Sequence, residues 1–434
     1  MLKMLKILSK IYNSPSFGFI KSHQHLDRTE LSAIESLVGK TDDGVVAEFE
    51  SNYARLIGNG NCIAFGAARM GFFSIMKALS IGKGDEVILT GFTCSVMANA
   101  VIRVGATPIY SDVDENTLGS SSREVEKCIT ARTKLIVAQH SFGIPCDIKP
   151  IVKYAKENQI FLLEDCALAL GSAIGDDKVG NFGDAAIFST DHTKPLNTLI
   201  GGLVYSNNDD LLSKVVEIRD ESSEIPIKKQ KALWRTFRIE RHLCREKRMR
   251  YFKFFTYLQV LLQRLFLIND PYLSSDYSAS ISNKDYTYPC KMPAFIAQIG
   301  IFELKRWSIL ADKRIFFLRE ILYQVSKSKI SKFIPQAYLD PTLKIVPLRF
   351  AWSMLSGKDV RLRLSPLIDV EATWFLEPII SRRGDLEEYG YSHGLCEVSE
   401  RIGVDMINVP CDIDEDAIKK IFDTVNKITR KSYG

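Results

Sequence analysis

The sequence predicts an α/β fold built on a mostly parallel sheet, on three observations. Short apolar, β-branched runs alternate with stretches of helical periodicity between residues 60 and 205. Two of those runs close on residues suited to ligands: 160–165 ends on Glu164 and Asp165, and 62–66 ends on a glycine before a helix. In parallel sheets ligands sit at the carboxyl ends of strands, so Asp165 is a candidate to face one. The chain has 434 residues, enough for two or three domains and a large core.

Each element has its own local reason. Residues 1–12 place Lys3, Lys6 and Lys10 on one helical stripe against apolar residues. Lysines interrupt every apolar run and no small-residue cleavage site follows, which excludes a secretion signal. The stripe reads as a helix packed on protein, or as a basic amphipathic helix lying on a membrane. Over 31–57, Val45, Val46, Phe49, Tyr53 and Leu56 keep a period near 3.6. A strand at 62–66 leads through Ala67, Ala68, Arg69 and Met70 into a helix reaching residue 79. The free N–H groups at such a helix start suit an anion such as phosphate, and Arg69 is either its clamp or an ordinary surface arginine. Strands follow at 84–89, 106–112, 134–140 and 160–165, with helices at 96–104 and 151–158. The run 185–188 then opens a polar loop holding Lys194, before Gly201, Gly202 and a strand at 203–205. A lysine at a strand lip is ordinarily solvated; buried and kept neutral, it becomes a covalent amine that forms a Schiff base with an aldehyde.

Composition restricts the setting. Hydrophobic residues make up 46% and charged residues 25%, as in ordinary soluble globular proteins. Nine cysteines are scattered singly with no CxxC pair, which points to reduced thiols in a cytoplasmic protein, with neither a disulfide framework nor a metal site. The net charge of +5 is unevenly spread. Residues 228–253 carry eleven basic side chains against Glu240 and Glu246, a local +9 that leaves −4 for the remainder. The following 254–268 is apolar and aromatic, with Thr256, Gln259 and Gln263 as a polar stripe, and is too short to span a bilayer. Three readings compete for this tract. It is a helical hairpin over the site or a subunit interface, an attachment to an anionic membrane, or a nucleic-acid contact. No nucleic-acid motif supports the third. The hairpin is favoured because it would bury Phe254, Leu258, Leu261 and Leu265. Beyond it, helices are expected at 292–304, 313–325 and 414–428, and strands at 345–350, 372–378 and 407–410. The expected division is an arm 1–30, a large domain 31–225, an insertion 226–287 and a small α/β domain 288–434.

A specific resemblance rests on motifs in order: Ala67-Ala68-Arg69, Gly84-Asp85-Glu86-Val87-Ile88, Phe92-Thr93-Cys94, His140-Ser141-Phe142-Gly143, Glu164-Asp165-Cys166-Ala167, Phe188-Ser189 to Lys194, and Gly201-Gly202. Over roughly residues 40 to 425 the chain resembles the DegT/DnrJ/EryC1/StrS family of sugar aminotransferases, fold type I enzymes that use pyridoxal phosphate (PLP). The resemblance implies that Lys194 is the catalytic lysine that carries the cofactor. Asp165 would pair with the ring nitrogen, where an opposite charge favours its protonated form. Ser189 and the turn Ala68, Arg69, Met70 would hold the phosphate, with Cys94 against the ring. It further implies a keto-sugar substrate, nucleotide-linked, glutamate as donor, and a homodimer in glycan or secondary-metabolite synthesis. No nucleic-acid partner is expected, and the localisation is cytoplasmic, with peripheral contact at the inner face of the membrane as an option. Three positions depart from the family: Arg69 stands for a threonine, Cys94 for an aromatic residue and Leu168 for a glutamine. Three alternatives stay open: a PLP-dependent sugar dehydratase; a catalytically reduced homologue with a binding or scaffold role, from Cys94 and Leu168; and, from the basic tract, a DNA-binding regulator. Retention of Lys194 favours transamination over dehydration, and His192 is given no role as a cofactor ligand.

Overall fold

The structure, a computed structural model, describes residues 15–20, 23–244, 249–265, 270–279 and 285–433. Seven strands form the central sheet: β1 (Asn61–Phe65), β2 (Glu86–Thr90), β3 (Thr107–Ser111), β4 (Thr133–Gln139), β5 (Phe161–Asp165), β6 (Ala185–Ser189) and β7 (Gly202–Ser206). Their order is β1-β7-β6-β5-β4-β2-β3. β7 is antiparallel to both its neighbours, β1 and β6, and the other pairs are parallel. Nearly every residue of these strands is buried, as expected when helices cover both faces of a parallel sheet. β5 and β6 are neighbours in register, Asp165 opposite Ile187, so Asp165 and Ser189 emerge at the same carboxyl edge.

A second sheet pairs β8 (Arg349–Ser353) with β9 (Met406–Pro410) in antiparallel fashion. Helices Trp307–Ser326, Gly357–Leu364 and Glu415–Tyr433 close over it around Phe350, Trp352, Ile421 and Phe422. Phe17 bridges to Ile368, so the described amino-terminal segment is tied to this smaller unit.

All seven strands of the central sheet lie within two residues of their expected positions. Elsewhere local backbone overrides periodicity. The helical stretch 31–57 divides into Arg28–Ser36 and Asp43–Ile57, because Gly39 turns with φ +78° and Asp42 caps a new start through Val45 N. The strand expected at 345–350 begins only at Arg349. The strand expected at 372–378 is absent: a 3-10 turn occupies Val370–Ala372, Phe375 has φ +60°, and the Trp374 N–H is given to the Asn408 side chain.

The tract 226–287 gives two different outcomes. Its first helix, Ile227–Leu243, buries Leu233, Trp234 and Phe237, and Lys229 Nζ reaches Asp270 O at 2.9 Å. This half of the basic tract is a packed element over the site. The second helix, Met249–Arg264, overturns the internal-hairpin expectation: Phe254, Leu258, Leu261 and Leu265 are all exposed. The amino-terminal stripe of Lys3, Lys6 and Lys10 lies outside the described residues, as do Arg245, Lys247 and Arg248. No described helix is long and apolar enough to cross a membrane.

Candidate active site

The loop between β6 and β7 is fixed by its own backbone. Thr190 N donates to Gly201 O at 3.0 Å, Thr198 N to Thr190 O at 2.8 Å and His192 N to Leu199 O at 3.1 Å. Thr198 Oγ1 donates to Thr190 Oγ1 at 2.7 Å, and the Asn197 carbonyl meets His23 Nε2 at 2.7 Å. Lys194 therefore projects from a rigid frame, with its N–H closing a turn on Asp191 O at 2.9 Å.

The Lys194 ammonium stands 4.6 Å over the Trp374 ring. Burial pushes its pKa below the ordinary lysine value; Asp191, Cys94 and Asp165 oppose that fall, and Arg349 deepens it. The lysine is thus closer to its neutral, nucleophilic form than a solvated one. Asp165 is buried, which raises its carboxyl pKa, while the Ala167 N–H and Lys194 pull it back. Its Oδ1 accepts from Ala167 N at 3.0 Å. A cationic ring nitrogen placed there offsets the burial that raises this carboxyl's pKa, so this acid fits PLP.

Beside it lies a cavity of ≈ 140 Å³ lined by Gly66, Ala67, Arg69, Ser189, Gly201 and Tyr272 among others. Helix Ala68–Ala78 begins behind it with no side-chain cap from Ala67, which leaves its first N–H groups for a ligand. Gly202 lies flush against that helix start: a Cβ there would overlap Ala68 N and Cα. Uncapped donors and the Ser189 hydroxyl also fit a phosphate. Met70 does not join them. Its N–H is spent on Ala67 O, and its sulfur packs inward on Cys290. Arg69 reaches the cavity but is already partnered: Nε donates to Asp276 at 2.6 Å and Nη2 to Leu273 O at 2.8 Å. Cys94 starts the next helix, Ser95–Val104, and lies near enough to Lys194 and Arg69 to feel both charges; burial raises its thiol pKa. The Leu168 departure has a simple account, since its side chain sits in an apolar cluster with Phe92, Phe142 and Phe375.

Several residues of the site carried no sequence signal. Asp276 is held by Arg69 and by Arg103, 3.8 Å away, so the tract 226–287 delivers a carboxylate between two guanidiniums. Tyr272 stacks on His192 at 4.7 Å and bonds Glu240 of helix Ile227–Leu243. Although burial alone would lower the His192 pKa, Asp191, 3.1 Å from Nδ1, raises it to about 9, and Asp191 in turn is held well below the usual carboxylate range. Arg349 is wedged between Trp374 at 3.8 Å and Phe19 at 4.0 Å, and no acceptor meets its Nε. Behind the site, His140, Glu164 and Cys166 converge within 4.8 Å, and Glu164 accepts from Gly180, Phe182 and Gly183 N–H groups at 2.7–2.8 Å. These bonds make it a structural carboxylate.

The chain matches known proteins accordingly. It is 37% identical over 170 residues to the spore coat polysaccharide biosynthesis protein SpsC of Bacillus subtilis, covering 39% of this chain and 44% of that one. It is 35% identical over 196 residues to GDP-perosamine synthase of Escherichia coli O157:H7, covering 45% and 52%. The chain thus spans about half the length of these curated relatives. Helicobacter pylori PseC, an aminotransferase involved in the biosynthesis of pseudoaminic acid, superposes with a TM-score of 0.70 at 17% identity, over 96% of this chain and 99% of that one. That likeness shows the fold, fold type I of the PLP-dependent aminotransferases. The family profile of the DegT/DnrJ/EryC1/StrS aminotransferases, which are PLP-dependent enzymes, matches residues 30–252. The chain belongs to the DegT/DnrJ/EryC1/StrS aminotransferase family.

Proposed function

We propose that the chain is a PLP-dependent aminotransferase that converts a nucleotide-linked keto-sugar to an amino sugar, with glutamate as donor, in the synthesis of a surface glycan or secondary metabolite. The observation that carries this reading is the buried Lys194, its pKa lowered, beside the buried carboxylate of Asp165. The named relatives support the sugar and its nucleotide. When bound, PLP supplies an electron sink for the carbon that loses its proton. The chain's residues do the rest. Asp165 holds the ring nitrogen protonated. Ser189 and the N–H groups of Ala68 and Arg69 orient the phosphate. Lys194 takes the proton from the donor's amino-bearing carbon and returns one to the sugar carbon, as general base and then acid. Trp374 covers its amine and excludes water.

A cytoplasmic homodimer is part of the same reading. The nine free cysteines, seven of them buried, support a reducing compartment. We assign residues 31–225 and 288–434 as the large and small domains that close on the ligand. An absorbance spectrum tests the function: PLP should give a long-wavelength band that glutamate abolishes, and borohydride should fix the cofactor on the peptide holding Lys194. A label on another lysine, or a band indifferent to glutamate, overturns it.

A further inference from the structure

Tyr251, Phe254, Leu258, Leu261 and Leu265 are 55%, 47%, 40%, 52% and 58% exposed. Their spacing of three and four residues puts them on one stripe of helix Met249–Arg264, an arc of about 80° at ~100° per residue. The helix packs chiefly on Ile227–Leu243, and Phe252, Phe255 and Leu262 are only half-buried on its inner side. A continuous row of large apolar groups in water calls for a second apolar phase.

The charges select that phase. Along 249–268 the sequence holds Arg250, Lys253 and Arg264 and no acid, and 228–253 as a whole carries +9. A second copy of this helix would set cations against cations with no acidic flank to offset them, which disfavours a coiled-coil pair. Anionic headgroups meet the same charges with attraction. Sixteen helical residues span about 24 Å, and Val260, 40% exposed, is the one other large exposed apolar residue described on the helix and lies off the stripe, so at this length the helix lies in the interface and does not cross it. We propose that the exposed face of helix Met249–Arg264 docks the protein on an anionic phospholipid surface, the inner face of a membrane. This inference is independent of the catalytic reading.

Co-sedimentation of the full chain with phosphatidylglycerol-containing vesicles and with pure phosphatidylcholine vesicles tests it. The wild type should bind the anionic vesicles at least about tenfold more tightly, from three basic residues, and salt should weaken that binding. Leu258→Ser/Leu261→Ser should cut anionic binding at least about tenfold with the melting temperature unchanged. Arg250→Gln/Lys253→Gln should cut it severalfold and leave the weak neutral binding as it was. Three results overturn the proposal. One is equal or absent binding to the two vesicles. Another is a lowered melt in the leucine variant, which would mean that protein covers the face. The third is a halved sedimenting mass in that variant, which would assign the face to a second copy.

Discussion

The floor and the roof of this site are built by different means. The floor is the carboxyl edge of β5 and β6 with the loop 190–201, and backbone hydrogen bonds within about forty residues fix it. The roof comes from distant chain: Tyr272 and Asp276 from the insertion, Arg349 and Trp374 from the smaller unit, Phe19 from the amino-terminal segment. Side-chain ion pairs and ring contacts hold it. The difference separates chemistry from closure. Floor substitutions should abolish turnover in a folded protein, whereas roof substitutions should first loosen the fold or the grip on the ligand.

The largest expected effect is at the floor. Lys194→Ala should lower transamination by about four orders of magnitude or more, since it removes the proton carrier and the covalent anchor together. A stopped-flow half-reaction with glutamate measures it. Asp165→Asn should lower the same rate by about 10²–10³-fold while PLP still binds, the scale of a lost electrostatic partner in a buried site. Unchanged turnover would remove Asp165 from the cofactor.

At the roof, Asp276→Asn should cost about 3 kcal/mol of stability, because it leaves Arg69 buried without its carboxylate. Thermal melting without cofactor reads this, and the shift should shrink when PLP is added, since phosphate then supplies an anion to Arg69. An equal shift with and without PLP would separate Arg69 from the phosphate. The smallest expected effect is a pH dependence. The His192 pKa in the folded chain, about 9, lies above its ordinary value of 6.5. Its contribution, on the order of 2 kcal/mol, is therefore complete below pH 6.5 and lost as pH rises through 9. His192→Gln should flatten the fall in melting temperature between those limits. A wild-type melt that stays constant over that range would sever the Asp191–His192 pair from stability.

The floor was legible in the sequence because its chemistry sits at fixed spacings along one chain segment. A strand closing on Asp165, a serine after the next strand and a lysine five residues on need no tertiary information. The roof was not legible. Asp276 is one acid in a polar stretch until Arg69, 207 residues away, turns to meet it. That pairing also recasts Arg69, which reads in the sequence as a phosphate clamp or a surface arginine and in the structure as a joint between floor and roof. The sequence predicts a strand through Trp374, but the αL conformation of Phe375 bends the chain there and brings the indole over the lysine. The two insertion helices show the limit of composition: both combine basic and apolar residues, and only the first finds an apolar face to cover.

One joint in the floor has a consequence of another kind. Where Gly202 meets Ala68, main chain lies directly on main chain with no clearance for a single added carbon. In machining terms this is a press fit, with the dimension set by peptide geometry and not by an adjustable part. A larger residue at 202 has no rotamer in which to hide, so the helix start and the strand would have to part. Because Ser189 is paired with Gly202, the distance from the donors of that helix to Ser189 is a gauge built into the polypeptide.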